Sequence, residues 1–283
     1  MKLQRIRAFL AILACAPGAA PLAARAAPPV PDPYPGGAAA YAVVVNGRLQ
    51  WARHLDAQRA PASLTKLLTA LVLLDGDHAP DRTITVSPRA ARITGTRAGL
   101  KPGDALDFAS ALTAMLVSSA NDACMALVEH AADTAELFAA RMNARAAALG
   151  MRDSHFVQPC GLDAPGQHST VRDLLRLSAA AVAEPMIAER AALPSAAIVL
   201  QGGRRIELHQ SNLMVGRTPG VFGLKSGYTS QAGKCLILAA HRDDTEVWIV
   251  LLGAPDRWWF ASGLLDEAFR QHAAQGPQAA LRP

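Results

Sequence analysis

The chain has 283 residues, 51% hydrophobic and 18% charged, enough to bury the core of one large domain, or of a domain with an inserted lobe, and unlike a disordered composition. Its formal charge is +5, but residues 1–26 hold four of the cations (Lys2, Arg5, Arg7, Arg25) and no acid, leaving 24 cations against 23 acids. That near-neutral remainder, with no basic cluster interleaved with aromatics, removes the main support for nucleic-acid binding.

In chain order, Lys2, Arg5 and Arg7 precede an apolar run from Ala8 to Ala16, and Ala24-Arg25-Ala26 is a small-x-small cleavage pattern, so 1–26 reads as a secretory signal. Cys15 leaves lipid attachment as a minor reading. No later segment has the ~18 uninterrupted apolar residues of a membrane span, so no transmembrane anchor is expected in the mature chain. Residues 27–37, APPVPDPYPGG, read as a Pro-rich linker. Two β-rich runs then flank Asn46-Gly47, a hairpin signal. In PASLTKLLTALVLLDGD, residues 61–77, Leu64, Leu67, Leu68, Leu71 and Val72 recur with helical spacing between Pro61 and Gly76, which predicts a helix with one apolar stripe on the core.

Residues 84–104 are turn-rich. DFASALTAMLV and NDACMALVEHAAD predict two helices separated by Ser118-Ser119-Ala120, and TAELFAARMNARAAAL a third that ends at Gly150. The loop HFVQPCGLDAPGQHST leads into VRDLLRLSAAAVA, where Thr170 and Asp173 have capping-box spacing. RRIELHQ, GVFGLKSG, KCLILAAH and EVWIVLLGA predict strands, and DRWWFASGLLDEAFR a closing helix. Strands at both ends with helices between them predict an α/β fold: one mainly antiparallel sheet built from the two termini, with a helical lobe inserted. Trp258 and Trp259 are neighbours on a helix and point in different directions, so at least one is expected to pack on the core.

Cys124, Cys160 and Cys235 remain after signal removal and permit at most one bridge. The preferred reading is that Cys124 on a helix and Cys235 on a strand are small buried hydrophobes rather than disulfide partners.

Three motifs could carry chemistry. Ser63 and Lys66 stand at i and i+3 of a helix, where hydroxyl and amine can meet. A serine hydroxyl needs a base to become a nucleophile; a lysine held neutral can be that base and an arginine cannot. The chain has 23 Arg and only five Lys, so lysine is used where losing a proton would matter. With 13 Ser and five Lys, Ser-x-x-Lys is expected by chance about 0.2 times, so the pair alone equally suits a surface lysine beside a helix cap. Ser119-Ala120-Asn121 offers a hydroxyl and an amide from a tight turn, or a plain helix cap. Lys225-Ser226-Gly227 follows an apolar strand, and its glycine lets a substrate approach the backbone, or it simply ends the strand.

Together and in this order these resemble the S-x-x-K, S-x-N and K-[TS]-G triplet of the penicillin-recognising serine enzymes. ASLTKLLTALVLL, SSANDACMALVEH, ALGMRDSHFVQPCGLDAPGQHSTVRDL and LKSGYTSQAGKCLILAA further resemble the low-molecular-mass penicillin-binding proteins, the D-alanyl-D-alanine carboxypeptidases and related endopeptidases, from about residue 38 to 271. The resemblance implies a catalytic domain over 38–271 with the helical lobe at about 88–200, a tail at 272–283, a periplasmic location and peptidoglycan stem peptides as substrate. It implies that Ser63 attacks the carbonyl of the penultimate D-alanine, with Lys66 as base. Ser119 and Asn121 would relay protons and orient the peptide, and Lys225 would lower the potential around the serines. Ser226 and Gly227 would bind substrate, and the backbone N–H groups of Ser63 and Tyr228 would form the oxyanion hole. It implies no cofactor and no metal, and the eight His show no HExxH spacing. β-Lactams would be covalent inhibitors.

Three departures matter. Ser226 stands where many relatives have Thr, and Tyr228 where several carboxypeptidases have His; YTSQAGKCL resembles the endopeptidase branch. Arg257, in DRWWF, is the candidate for the substrate carboxylate, with its register open. Carboxypeptidase is the preferred activity, with an endopeptidase cleaving D-alanyl–diaminopimelate cross-links as the alternative. A β-lactamase would need a second base such as a Glu-x-x-Leu-Asn element, which is absent, so β-lactam turnover is expected to be slow. A non-catalytic peptidoglycan-binding protein would be free to lose Ser63, Lys66, Ser119, Asn121 and Lys225. A Ser-His-Asp hydrolase would want a Gly-x-Ser-x-Gly elbow, also absent.

Overall fold

The computed structural model describes residues 32–76 and 79–274. The signal reading, Cys15 and the end of the tail lie outside them. Strands β1 (Ala40–Val45) and β2 (Arg48–Arg53) pair antiparallel across Asn46-Gly47. Both turn residues have positive φ, 46° and 76°, as a two-residue hairpin turn matching the strand twist requires. From the other end come β7 (Val221–Thr229), β8 (Gly233–Arg242) and β9 (Thr245–Ala254), and the sheet order is β2-β1-β9-β8-β7, antiparallel throughout. The two termini thus build one sheet, with β2 at one edge and β7 at the other.

Both faces of the sheet are covered. On β8, Cys235 and Ile237 point into the core shared with the helices while Leu236, Leu238 and Ala240 point to the opposite face. On β9, Val250 and Leu252 alternate in the same way with Val247, Ile249 and Leu251. Two buried faces with period-two alternation make a continuous apolar run, which is why EVWIVLLGA shows no polar alternation. The second face is covered by α8 (Arg257–Ala274), through Phe260, Ala261, Leu264, Leu265 and Ala268.

The lobe consists of α2 (Pro88–Arg92), α3 (Phe108–Val117), α4 (Asn121–Ala131), α5 (Ala135–Ala148), α6 (Val171–Ala183) and α7 (Pro185–Ala191), with small hairpins β3 (Thr83–Thr85)–β4 (Ala105–Asp107) and β5 (Ser195–Val199)–β6 (Arg205–His209). Asp107, Thr134 and Thr170 cap their helices by accepting backbone N–H bonds from Ser110, Leu137 and Asp173.

Four expectations are corrected. The 61–77 helix is a short 3-10 turn, Ala62–Leu64, followed by α1 (Thr65–Leu74). It is not one-faced: Thr65, Lys66, Thr69 and Ala70 are fully buried beside the leucines, because the sheet lies on one side and the lobe on the other. RRIELHQ does not join the main sheet; as β6 it pairs only with β5, and its largely exposed residues suit a two-stranded ribbon. The described part of the Pro-rich lead is docked, with the Tyr34 ring 5.6 Å from Trp259 and 6.0 Å from Phe260. Cys124 is not a free hydrophobe: it is disulfide-bonded to Cys160, Cα–Cα 5.9 Å, because α4 and the 153–170 loop both close on α1. Cys235 stays a buried free thiol.

Phe260 anchors the closing helix, at 1% exposure and edge-on to Tyr41 at 5.1 Å. Trp259 is 64% exposed and Trp258 half-buried. Phe260→Ala should therefore cost about 3–5 kcal/mol in urea unfolding, and Trp259→Ala no more than about 1 kcal/mol. Equal losses would mean that the Trp259–Tyr34 contact holds the helix instead.

Candidate active site

Between the edge of β7 and the lobe lies a cleft of about 380 Å³ whose walls include Ser63, Ser119, Asn121, Ser226, Gly227, Tyr228 and Arg257. The backbone at its floor is held in sparsely populated conformations: Ala62, just before Ser63, has φ +49°, and Ser119 has φ +62°. Such residues cost about 1–3 kcal/mol each and persist where the surroundings over-determine them.

Lys66 is fully buried and points at Ser63, with Nζ 3.0 Å from Oγ. Its other two contacts are pure acceptors: Asn121 Oδ1 at 2.6 Å and the carbonyl oxygen of Cys160 at 2.5 Å. The Asn121 amide is oriented by its Nδ2, which donates to Thr94 O at 2.7 Å. Burial pushes the Lys66 amine down to about 7. A neutral amine has two N–H groups and one lone pair. Here two acceptors take the N–H groups, so the lone pair is left facing the Ser63 hydroxyl.

Each partner is placed by its own local structure. Asn121 opens α4, and its neighbour Asp122 accepts backbone N–H bonds from Ala98, Gly99 and Leu100, tying the 94–100 loop to the helix start. The loop that carries Cys160 is pinned by Thr69, whose hydroxyl donates to Pro159 O at 2.6 Å, and by Gln167, which accepts from the Val157 and Gln158 N–H groups. Gly161 rests on the turn itself: a Cβ there would lie 2.2 Å from Ala62 O.

Lys225 is also fully buried; its Nζ donates to Ser211 Oγ at 3.0 Å and to Ser226 O at 3.1 Å. Burial first, then the charges of Lys66 and Arg257, press it well below the ordinary lysine range. Ser226 Oγ donates to Ser211 O at 2.8 Å. From the start of α8, Arg257 donates to Gly227 O at 2.6 Å and stacks 4.5 Å from the Trp258 ring centroid. Its Nε is buried without a hydrogen-bond partner among the described residues. Tyr228 is 63% exposed at the rim. Every candidate named from the sequence thus lines one cleft or touches a residue that does.

Sequence reasoning missed Ser211, the Cys160 carbonyl and the Asp163 clasp, in which the carboxylate accepts from Thr229 Oγ1 at 2.5 Å and Gln231 N at 3.2 Å. None has a local signature, since a backbone carbonyl or an isolated serine acquires its partner only on folding.

Residues 34–256 match the peptidase family described as D-alanyl-D-alanine carboxypeptidase. The chain belongs to this family. It is 33% identical over 260 residues to D-alanyl-D-alanine carboxypeptidase DacB2 of Mycobacterium tuberculosis, covering 88% of this chain and 87% of that protein. It is 28% identical to the D-alanyl-D-alanine endopeptidase of Pseudomonas aeruginosa, over 74% of this chain and 68% of that one. A solved penicillin-binding protein homologue from M. tuberculosis superposes with a TM-score of 0.79 at 31% identity, covering 90% of this chain and 97% of that one. The carboxypeptidases DacF of Bacillus subtilis and DacD of Salmonella typhimurium are longer, and the chain spans 60% of their length. The antiparallel sheet with a helical lobe is therefore the fold of the DD-peptidases.

Gly227 is where strand and turn touch: a Cβ there would lie 2.8 Å from Ser63 N and 2.9 Å from Ala62 Cβ. Gly227→Ala should slow acylation by a β-lactam ~100-fold by pushing Ser63 off line. A stopped-flow rate unchanged from wild type would show that the strand yields instead.

Proposed function

We propose that the chain is an exported serine D-alanyl-D-alanine carboxypeptidase that trims peptidoglycan stem peptides through an acyl-enzyme on Ser63. The observation that carries this reading is the approach of Lys66 Nζ to Ser63 Oγ, 3.0 Å, with both other directions of the amine occupied by acceptors. Lys66 takes the Ser63 proton as Oγ attacks the carbonyl of the penultimate D-alanine. The tetrahedral oxygen is held by the backbone N–H groups of Ser63 and Tyr228, fixed before charge develops. Ser119 passes the proton to the nitrogen of the departing D-alanine as its C–N bond breaks, and Asn121 orients the peptide. Water then releases the shortened stem.

Arg257 is the permanent cation in the cleft wall, and Lys225 lies buried behind Ser211 and Ser226. Lys225 orders Ser211 and Ser226, and the Arg257 side chain lines the cleft, which supports its reading as the carboxylate anchor and so favours the carboxypeptidase over the endopeptidase. The endopeptidase reading rests on Tyr228 and on the Pseudomonas aeruginosa relative. We take 38–271 as the catalytic unit, 1–26 as the signal and the periplasm as the destination. No helix among the described residues is long and apolar enough to cross a membrane.

Intact-mass spectrometry with a fluorescent penicillin should give one adduct that maps to Ser63, turns over slowly, and is lost in Ser63→Ala. No adduct on folded wild type would leave a peptidoglycan-binding protein as the leading reading, and rapid nitrocefin hydrolysis would point to a β-lactamase. Because the amine of Lys66 is held at about 7, the acylation rate should rise with pH through an inflection near 7, where Lys66 loses its proton. A rate that fell with pH over that range would assign the base elsewhere. D-alanine release from a pentapeptide should outpace cleavage of a cross-linked muropeptide; the reverse order would make the protein an endopeptidase.

A further inference from the structure

We propose that the Cys124–Cys160 disulfide is a positioning element of the active site, holding at a fixed separation the two acceptors that aim the Lys66 amine at Ser63. This rests on the reading of Lys66 as the base. One acceptor is the carbonyl oxygen of Cys160 itself. The other is Asn121 Oδ1, and Asn121 lies one turn before Cys124 on α4, at i and i+3. The bridge therefore joins, covalently and within a turn of each contact, two segments 36 residues apart that both contact the lysine.

Both sulfurs belong to fully buried residues, so the link is part of the packed floor rather than a surface staple. The bridge adds a covalent tie to those the loop already has from Thr69 and Gln167. Gly161, next to Cys160, rests on the backbone of Ala62, and any drift of the loop moves the turn that carries Ser63. If the carbonyl withdraws, one N–H of the amine is left without an acceptor and turns toward Ser63 Oγ. The lone pair then faces away from the proton it has to take. A parted loop also admits water to the amine, and desolvation is what holds Lys66 near 7.

The charged groups around Lys66 are few. Lys225 from β7 is near enough for its charge to act against that of Lys66, and Arg257 from α8 lines the cleft. On α4, Asp122 is engaged with the backbone of residues 98–100, and on the loop Asp163 is engaged by Thr229 and Gln231. None of these contacts includes either sulfur, so removing the bridge alters the setting of Lys66 without deleting a charge.

The test is the pH profile of acylation by a fluorescent penicillin for wild type and the Cys124→Ala/Cys160→Ala double variant. The expected result is an acylation rate at pH 7 lower by ~10-fold or more, with the inflection moved to higher pH. An inflection unchanged from wild type, whatever the rate, would overturn the proposal, because a merely stabilising bridge leaves the same base in the same surroundings. Should the double variant fail to fold, wild type reduced by a dithiol serves instead. The disulfide takes up two electrons and two protons, the reagent leaves as its cyclic disulfide, and the protein gains about 2 Da. Reduced, folded protein with the oxidised profile would again overturn the proposal. Wild type that forms no adduct would sink the assignment of Ser63 and Lys66 themselves, a separate result from a bridge that makes no difference.

Discussion

The structure turns on one amine taken out of water. An isolated buried ammonium is expensive, and the chain meets that cost in two ways: three contacts surround Lys66 Nζ, and burial moves its proton affinity toward neutrality. Both follow from where α1 lies. As a helix enclosed by the sheet and the lobe, it gives Lys66 no route to solvent, and the acceptors have to be brought to it from elsewhere in the chain. They come from the start of α4 and from the loop before α6.

This explains the division into sheet and lobe. A single layer could not enclose the lysine and still leave the serine open to substrate. Here the sheet edge at β7 and the lobe approach the 3-10 turn from opposite sides, and the cleft is what remains between them. The two glycines at closest approach, Gly161 from the lobe and Gly227 from the strand, sit where a methyl group would collide with the turn. Strained backbone at Ala62 and Ser119 fits the same picture, since such conformations survive only where packing on both sides over-determines them.

Two buried lysines in one cleft would be hard to accommodate if both were charged. Lys225 is pressed down by burial, by Lys66 and by Arg257, while Arg257 remains the permanent cation. In a chain with 23 Arg and five Lys, the residue that can shed its charge stands where proton transfer is proposed, and the one that cannot stands where an anion is proposed to bind.

The amino-acid sequence by itself determined the features that local backbone geometry dictates. Asn46-Gly47 marked a tight hairpin, Thr170 stood where a helix N-terminus needs an acceptor, and the apolar runs of the last third read as strands. The Ser63–Lys66 spacing and the order of the three motifs were legible for the same reason, because a helical turn brings i and i+3 together wherever it occurs. Tertiary structure decided what depends on separate segments meeting: which sheet RRIELHQ would join, that Phe260 rather than either tryptophan anchors α8, that Cys124 pairs with Cys160, and that Arg257 reaches Gly227. It alone placed the Cys160 carbonyl on Lys66. A main-chain oxygen is the same at every position of the chain, so only the fold could select this one.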